Sequence, residues 1–237
     1  MQNIEAALIE AAAGYDISLT REQAALFQRY MELLLEWNEK INLTAIVEPQ
    51  QVLEKHFLDS LLLAKAIQLP QNAKVIDVGT GAGFPGIPLK ILRPDLQLTL
   101  LDSLQKRLNF LKEVCTALQI EAELVHDRAE EGGRRPQLRE AFDLSCARAV
   151  AALPVLCEYC IPFVKQGGTF AAMKGPGAAQ ELEASARSAA LLGSHMGKLK
   201  EFTLPDGSAR SIVLFKKRSA TSDKYPRHGS KIAKNPL

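Results

Sequence analysis

Apolar positions between residues 1 and 70 recur at helical spacing. Phe27, Tyr30, Met31, Leu34 and Trp37 form one stripe, the signature of an amphipathic helix with one buried face. Thr20 and Gln23 stand where a capping box would start that helix. A second amphipathic run lies between Val52 and Leu69, and Pro70-Gln71-Asn72 breaks it. The stripe needs a surface to cover, and the remainder of the chain is the candidate.

From Ala73 the pattern changes to short apolar runs alternating with helical segments. Strands are predicted at 74–78, 98–102, 123–126, 142–147 and 169–173. One intervening helix carries Leu104, Leu108, Leu111, Cys115 and Leu118 on one face. Another is predicted over 153–164, ended by Gly167-Gly168. Two β-rich stretches follow, 199–204 and 211–215, joined by the turn Pro205-Asp206-Gly207. Strand–helix alternation implies right-handed crossovers and a parallel sheet covered on both faces. The final strand pair predicts an antiparallel edge. The fold class is therefore α/β and Rossmann-like. Its expected divisions are a helical extension (1–70) packed on the core, a central domain (71–218) and a basic tail (219–237). Arg134-Arg135-Pro136 reads as a surface loop.

The chain has 237 residues, 47% hydrophobic and 24% charged, ordinary values for a globular domain. No apolar run reaches the ~18–20 residues of a membrane span. The N-terminus lacks a basic n-region, so a cytoplasmic location away from membranes is expected. No protein partner is indicated. Cys157 and Cys160 have a CxxC spacing, but further ligands at comparable spacing are lacking, so a buried helix pair is expected and no metal. Net charge is +2, yet 216–237 holds Lys216, Lys217, Arg218, Lys224, Arg227, Lys231 and Lys234 against Asp223 alone. The body is thus net acidic and the tail basic, which fits either a polyanion partner or a solvated tail.

Asp77-Val-Gly79-Thr-Gly81-Ala-Gly83-Phe-Pro-Gly86 follows the first strand. Glycines at a strand-to-helix turn let the backbone approach a ligand. Gly81, Gly83 and Gly86 fit the GxGxxG spacing of dinucleotide sites, which place a pyrophosphate on a helix N-terminus. However, Asp77 two residues before Gly79 suits a cationic ligand, and Pro85 and Pro88 remove amide donors. S-adenosylmethionine, with an amino group and a sulfonium and no phosphate, is favoured. Asp102, ending the second strand, suits ribose hydroxyls under either reading.

The chain resembles the bacterial 16S ribosomal RNA guanine-N7 methyltransferases, once called glucose-inhibited division protein B. The likeness rests on Trp37-Asn38, Asn42-Leu43-Thr44, His56-Phe57-Leu58-Asp59-Ser60, the run from Asp77 to Pro88, and Leu101-Asp102-Ser103 with Lys106-Arg107. It continues through Arg128-Ala129-Glu130, Ala147-Arg148-Ala149, Lys174-Gly175 and Lys224-Tyr225-Pro226-Arg227. The resemblance implies transfer of a methyl group from S-adenosylmethionine to N7 of a guanine in 16S ribosomal RNA, guanine 527 by family likeness. It implies cofactor contacts at Gly79, Phe84, Ala129, Glu130 and Arg148, beside the residue-based candidates Asp77, Gly81 and Asp102. RNA contacts are expected at Lys174, Lys224 and Arg227, the partner being 16S rRNA or the small subunit. One departure is the tail sequence Pro226-Arg227-His228-Gly229-Ser230, where relatives carry a second basic residue and a proline.

Guanine N7 carries a free in-plane lone pair. Methylating it needs no prior deprotonation, so no catalytic residue is expected; alignment can supply roughly 7–11 kcal/mol. An N/D-P-P-Y/F motif for exocyclic amines does not follow the fourth strand. His56 reads as a structural histidine.

Overall fold

The computed structural model describes residues 3–195 and 197–237. Seven strands form one sheet: β1 (Lys74–Val78), β2 (Gln97–Asp102), β3 (Ala122–His126), β4 (Phe142–Arg148), β5 (Val164–Lys174), β6 (Lys198–Thr203) and β7 (Ala209–Lys216). Their order is β3-β2-β1-β4-β5-β7-β6. The first five are parallel, and β7 runs antiparallel to both β5 and β6. Strand order reverses between β1 and β4, which opens a crevice at their carboxyl ends, where ligands bind in such sheets.

Helices α1 (Glu5–Ala13), α2 (Arg21–Ile41), α3 (Pro49–Val52) and α4 (Asp59–Ala66), the last two joined by a π-helical turn at Leu53–Leu58, share one face of the sheet with α5 (Gly86–Leu92) and α6 (Gln105–Leu118). Thr20 and Gln23 form the capping box at the start of α2. The apolar stripe is buried: Phe27, Tyr30, Met31 and Leu34 are fully covered, and Trp37 packs on Phe110 of α6. The Gln23 side chain also caps α5, donating to the carbonyls of Ile91 and Leu92. The other face holds α7 (Ala129–Gly132), α8 (Leu153–Cys160), α9 (Ala178–Ala184) and α10 (Ala186–Leu191).

Helix α8 is shorter than its apolar pattern predicts. Pro162 lies in a 3-10 turn, Ile161–Phe163, because proline cannot donate the next helical hydrogen bond. Strand β5 then begins at Val164, before Gly167-Gly168, and its pairing with β4 shifts register between Phe142 and Leu144. Cys157 and Cys160 are buried thiols of α8, and burial pushes the Cys157 thiol up to about 12.

The basic tail is folded onto the body. Arg139 donates to the carbonyls of Thr221, Ser222 and Tyr225, and Arg134, in the segment read as a loop, to those of Asp223 and Lys224. Lys217 is buried and paired with Glu140 at 3.0 Å. Ile232 of α11 (Gly229–Lys234) is buried as well. Among the described residues no helix is long and apolar enough to cross a membrane.

Candidate active site

The loop leaving β1 is shaped by its glycines and by Asp77. Gly79, Gly81 and Gly83 have φ of +69°, +61° and +98°, values L-residues seldom adopt. Asp77 lies beneath the loop, fully buried. Its Oδ2 accepts from the Thr80 hydroxyl at 2.7 Å and the Gly86 amide at 2.9 Å. Oδ1 has no hydrogen-bond partner. Burial raises the carboxyl to about 6, against the lowering effect of the two hydrogen bonds and of Arg148. The structure thus makes Asp77 the organiser of the loop rather than part of the cleft wall.

Those bonds also close the N-terminus of α5. The Gly86 amide goes to Asp77, the Ile87 amide to the Gly83 carbonyl, and the Leu89 amide to the Pro85 carbonyl; Pro88 has no amide proton. The donors a pyrophosphate requires at such a helix start are engaged inside the protein.

Above the loop, at the carboxyl ends of β1, β2 and β4, lies a cleft of about 300 Å³. Gly79, Asp102, Ala129 and Glu130 line it together, joined by Arg107 and Tyr159. Asp102 is anchored from three sides. Its Oδ2 accepts from the Gly81 amide at 2.9 Å and meets Arg107 at 3.3 Å, while Oδ1 accepts from the Leu104 amide at 2.9 Å. The cleft therefore offers carboxylates at its wall and a charged acid under its floor, a setting for cationic and hydroxyl groups. The helical extension supports it from behind, since the Tyr30 hydroxyl donates to the Ala82 carbonyl in the loop.

A second cavity, of about 310 Å³, adjoins the first, and Ala149 lines both. Ala149 has φ of +56°, a strained value for a non-glycine residue. Lys55, His56, Asp59, Arg148, Lys174 and Arg210 line this second space. Arg148 donates to Asp59 Oδ2 at 2.9 Å, to the Lys55 carbonyl at 3.0 Å and to His56 Nδ1 at 3.1 Å. Its guanidinium sits over the Phe84 ring at 4.8 Å, and the His56 ring stacks on the same phenyl at 4.6 Å. An arginine can only donate, so His56 Nδ1 accepts; Nε2 then carries the proton and donates to the Thr44 hydroxyl at 2.8 Å. Burial, and Arg148 beside it, lower His56 to about 3, so the ring is neutral at ordinary pH. Arg210 approaches Asp59 Oδ1 at 3.2 Å as an ion pair, without the alignment of a hydrogen bond. Burial pushes the Asp59 carboxyl up, opposed by both arginines.

The residues singled out in the sequence thus divide into groups. Gly79, Asp102, Ala129 and Glu130 share the first cleft, with Gly81 and Asp77 forming its floor. Arg148 and Lys174 belong to the second cavity, and Phe84, almost fully buried, is the platform under Arg148 and His56. Lys174 is half engaged, with its ammonium on the Ala151 carbonyl and Glu181. Arg227, expected as an RNA contact, has its guanidinium held by the fully buried Glu158 at 2.7 Å and by the Asn235 carbonyl. Lys224 lies on the exposed tail, away from both cavities. Sequence reading gave no role to Tyr159, Asp59 or Arg210. Arg210 directly precedes the predicted strand 211–215, where a cation carries no signal of its own.

The model of the family described as rRNA small subunit methyltransferase G matches residues 23–212. A protein named ribosomal RNA small subunit methyltransferase G from Acetivibrio thermocellus is 49% identical, the match covering 97% of this chain and 95% of that one. Its namesake from Desulforamulus reducens is 44% identical over the full length of both. Among solved structures, a methyltransferase from Pyrococcus furiosus superposes with a TM-score of 0.56 at 15% identity, covering 80% of this chain and 98% of that one. A SAM-dependent O-methyltransferase from Thermotoga maritima gives 0.53 at 14%, covering 80% and 73%. The fold is that of the SAM-dependent methyltransferases with a Rossmann-like core.

Proposed function

The chain belongs to the rRNA small subunit methyltransferase G family, and from that premise we propose that it methylates N7 of a guanine in 16S ribosomal RNA with S-adenosylmethionine as donor. The observation that carries the choice of donor is the closed N-terminus of α5, where Asp77 takes the Gly86 amide and leaves a buried carboxylate oxygen free beneath the loop. A phosphate-bearing coenzyme meets an acid there, whereas a cationic donor meets its complement. The partner RNA places the protein in the cytoplasm, with free rRNA or the small subunit as substrate.

When bound, S-adenosylmethionine supplies an electrophilic methyl group on a sulfonium. Asp102 would hold the ribose hydroxyls, fixed for that task by the Gly81 and Leu104 amides. Gly79, Ala129 and Glu130 would seat the remainder, and Gly81 and Asp77 set the loop and its field. The second cavity, joined to the first at Ala149, takes the target base and its flanking phosphates. Arg148, Arg210 and Lys174 supply cations there. Phosphate contacts position the strand, and alignment of N7 with the methyl carbon supplies the rate. No group has to take a proton. The methylated purine gains a positive charge, and a neutral His56 adds no repulsion to it.

The test is methyl transfer from labelled donor to 16S rRNA taken from a strain lacking the modification, followed by nuclease digestion and mass spectrometry. N7-methylguanosine is the expected product. Label on another nucleoside, or none, rejects the reading.

A further inference from the structure

Strand β7 carries Arg210, Ile212, Leu214 and Lys216 on the sheet face shared with the N-terminal helices. Directly paired residues of antiparallel strands point to the same side, and the register sets Lys198 opposite Leu214 and Thr169 opposite Lys216. At the end of this face remote from the methyl-transfer site these groups enclose a cavity of about 280 Å³. Ile67 and Leu214 give it an apolar floor; His195, Lys198, Lys216, Arg218 and the Thr169 hydroxyl line it.

Among the described residues no acid contributes to this lining. Among the described residues, the side chains of Lys198, Lys216 and Arg218 make no hydrogen bond or ion pair. The contrast with their neighbours is sharp. Lys217 is paired with Glu140, Arg210 with Asp59 and Arg227 with Glu158. Three permanent cations gathered around one hollow repel each other, and an anion in the hollow relieves that repulsion. Thr169, mostly buried, adds a hydroxyl donor.

Along β5 the cavity lies towards one end and the active site at the other. Lys174, which lines the second active-site cavity, lies five residues beyond Thr169 on β5, about 17 Å at ~3.3 Å per residue. At the ~3.4 Å rise of a stacked nucleic-acid strand, that is roughly five nucleotide steps.

We propose that this cavity binds a phosphodiester of the RNA substrate, about five nucleotides from the methylated base, and so sets the register in which that base enters the active site. The proposal rests on the reading of RNA as substrate. The occupant is an RNA backbone, because ammonium and guanidinium groups over an apolar floor, with no acid to accept from a base edge or sugar hydroxyl, recognise phosphate oxygens and carry no sequence readout.

The experiment compares the wild-type chain with the double variant Lys216→Ala/Arg218→Ala and with Lys198→Ala. Affinity for a small-subunit rRNA fragment is measured across salt concentrations. S-adenosylhomocysteine affinity, thermal stability and steady-state kinetics are measured alongside. The double variant is expected to lose about tenfold in RNA affinity and about two in the slope of log affinity against log salt. KM for RNA should rise with kcat retained, and cofactor affinity and melting temperature should be unchanged. Unchanged RNA affinity and slope overturn the proposal. If the alanine variants are destabilised, Lys216→Arg and Lys198→Arg decide: restored stability with restored affinity and slope supports a charge-based site, and restored stability without them overturns it. Weakened binding to phosphatidylserine vesicles with RNA affinity intact assigns the cavity to a lipid surface and also overturns it. A wild-type chain that binds the RNA with this salt slope but does not methylate it rejects the proposed reaction and leaves the phosphate site standing.

Discussion

The Gly86 amide donates to Asp77 Oδ2 at 2.9 Å. One acid thereby fixes the exit from the first strand and withdraws the helix start from use by phosphate. Both effects follow from burying a carboxylate under a glycine turn, where its hydrogen bonds to Thr80 and Gly86 offset part of the desolvation.

Asp77 stays protonated in the folded chain up to about pH 6, while in the unfolded chain it ionises near its ordinary value. The native state therefore binds more protons between about pH 4 and 6, and the Asp77 contribution to stability falls as pH rises through that window, by up to ~3 kcal/mol. His56 acts oppositely: lowered to about 3, it makes stability rise with pH up to ~6.5, its ordinary value. Asp77→Asn keeps an oxygen acceptor and removes the first slope. Denaturation of both chains from pH 4.5 to 8 should show the variant gaining relative to wild type as pH rises. Wild-type affinity for S-adenosylmethionine should fall below about pH 6, and that of the variant should be weak and flat.

Two glycines of the loop should fail differently. A Cβ on Gly83 would lie 2.5 Å from Tyr30 Oη and 2.8 Å from Ile87 Cδ1, so Gly83→Ala should cost about 1–3 kcal/mol by overpacking. A Cβ on Gly79 would meet Val150 Cγ2 at 2.8 Å, and Val150 is an exposed side chain on the cleft wall that can shift. Gly79→Ala should retain more stability and lose cofactor affinity. Thermal denaturation paired with calorimetry separates the two.

Nuclear magnetic resonance of ring-labelled His56 should show one neutral tautomer, protonated at Nε2, from pH 8 down to 5. Titration near the ordinary histidine value would break the link between Arg148, His56 and Thr44.

Arg227→Ala leaves the buried Glu158 without its guanidinium partner, a defect worth about 3–5 kcal/mol. Adding Glu158→Gln should recover much of that, because the glutamine oxygen still accepts the backbone amide of residue 227. The salt dependence of RNA binding should be the same in all three chains. A changed slope in Arg227→Ala would place this residue at the RNA interface.

The strands and the glycine loop were legible because each rests on local pattern: short apolar runs ending in Asp77 and Asp102, and glycines where φ must be positive. The helical stripe of α2 announced a covered face. The destination of the basic tail was hidden. Its partners, Glu140, Glu158, Arg134 and Arg139, lie far back in the chain, and a run of lysines and arginines looks the same whether paired or free. The stacking of Arg148 and His56 on Phe84 was equally out of reach, since it joins three distant segments. The basic hollow beside β7 appears only once register places Lys198, Lys216 and Thr169 on one face.

Calorimetric titration of the chain at pH 7.5 with S-adenosylmethionine and, separately, with NAD tests the reading of the loop most directly. Saturable one-to-one binding of the first, abolished by altering Asp102 and Gly79, with no heat from the second, is the expected result. Tight uptake of NAD with indifference to S-adenosylmethionine would contradict it.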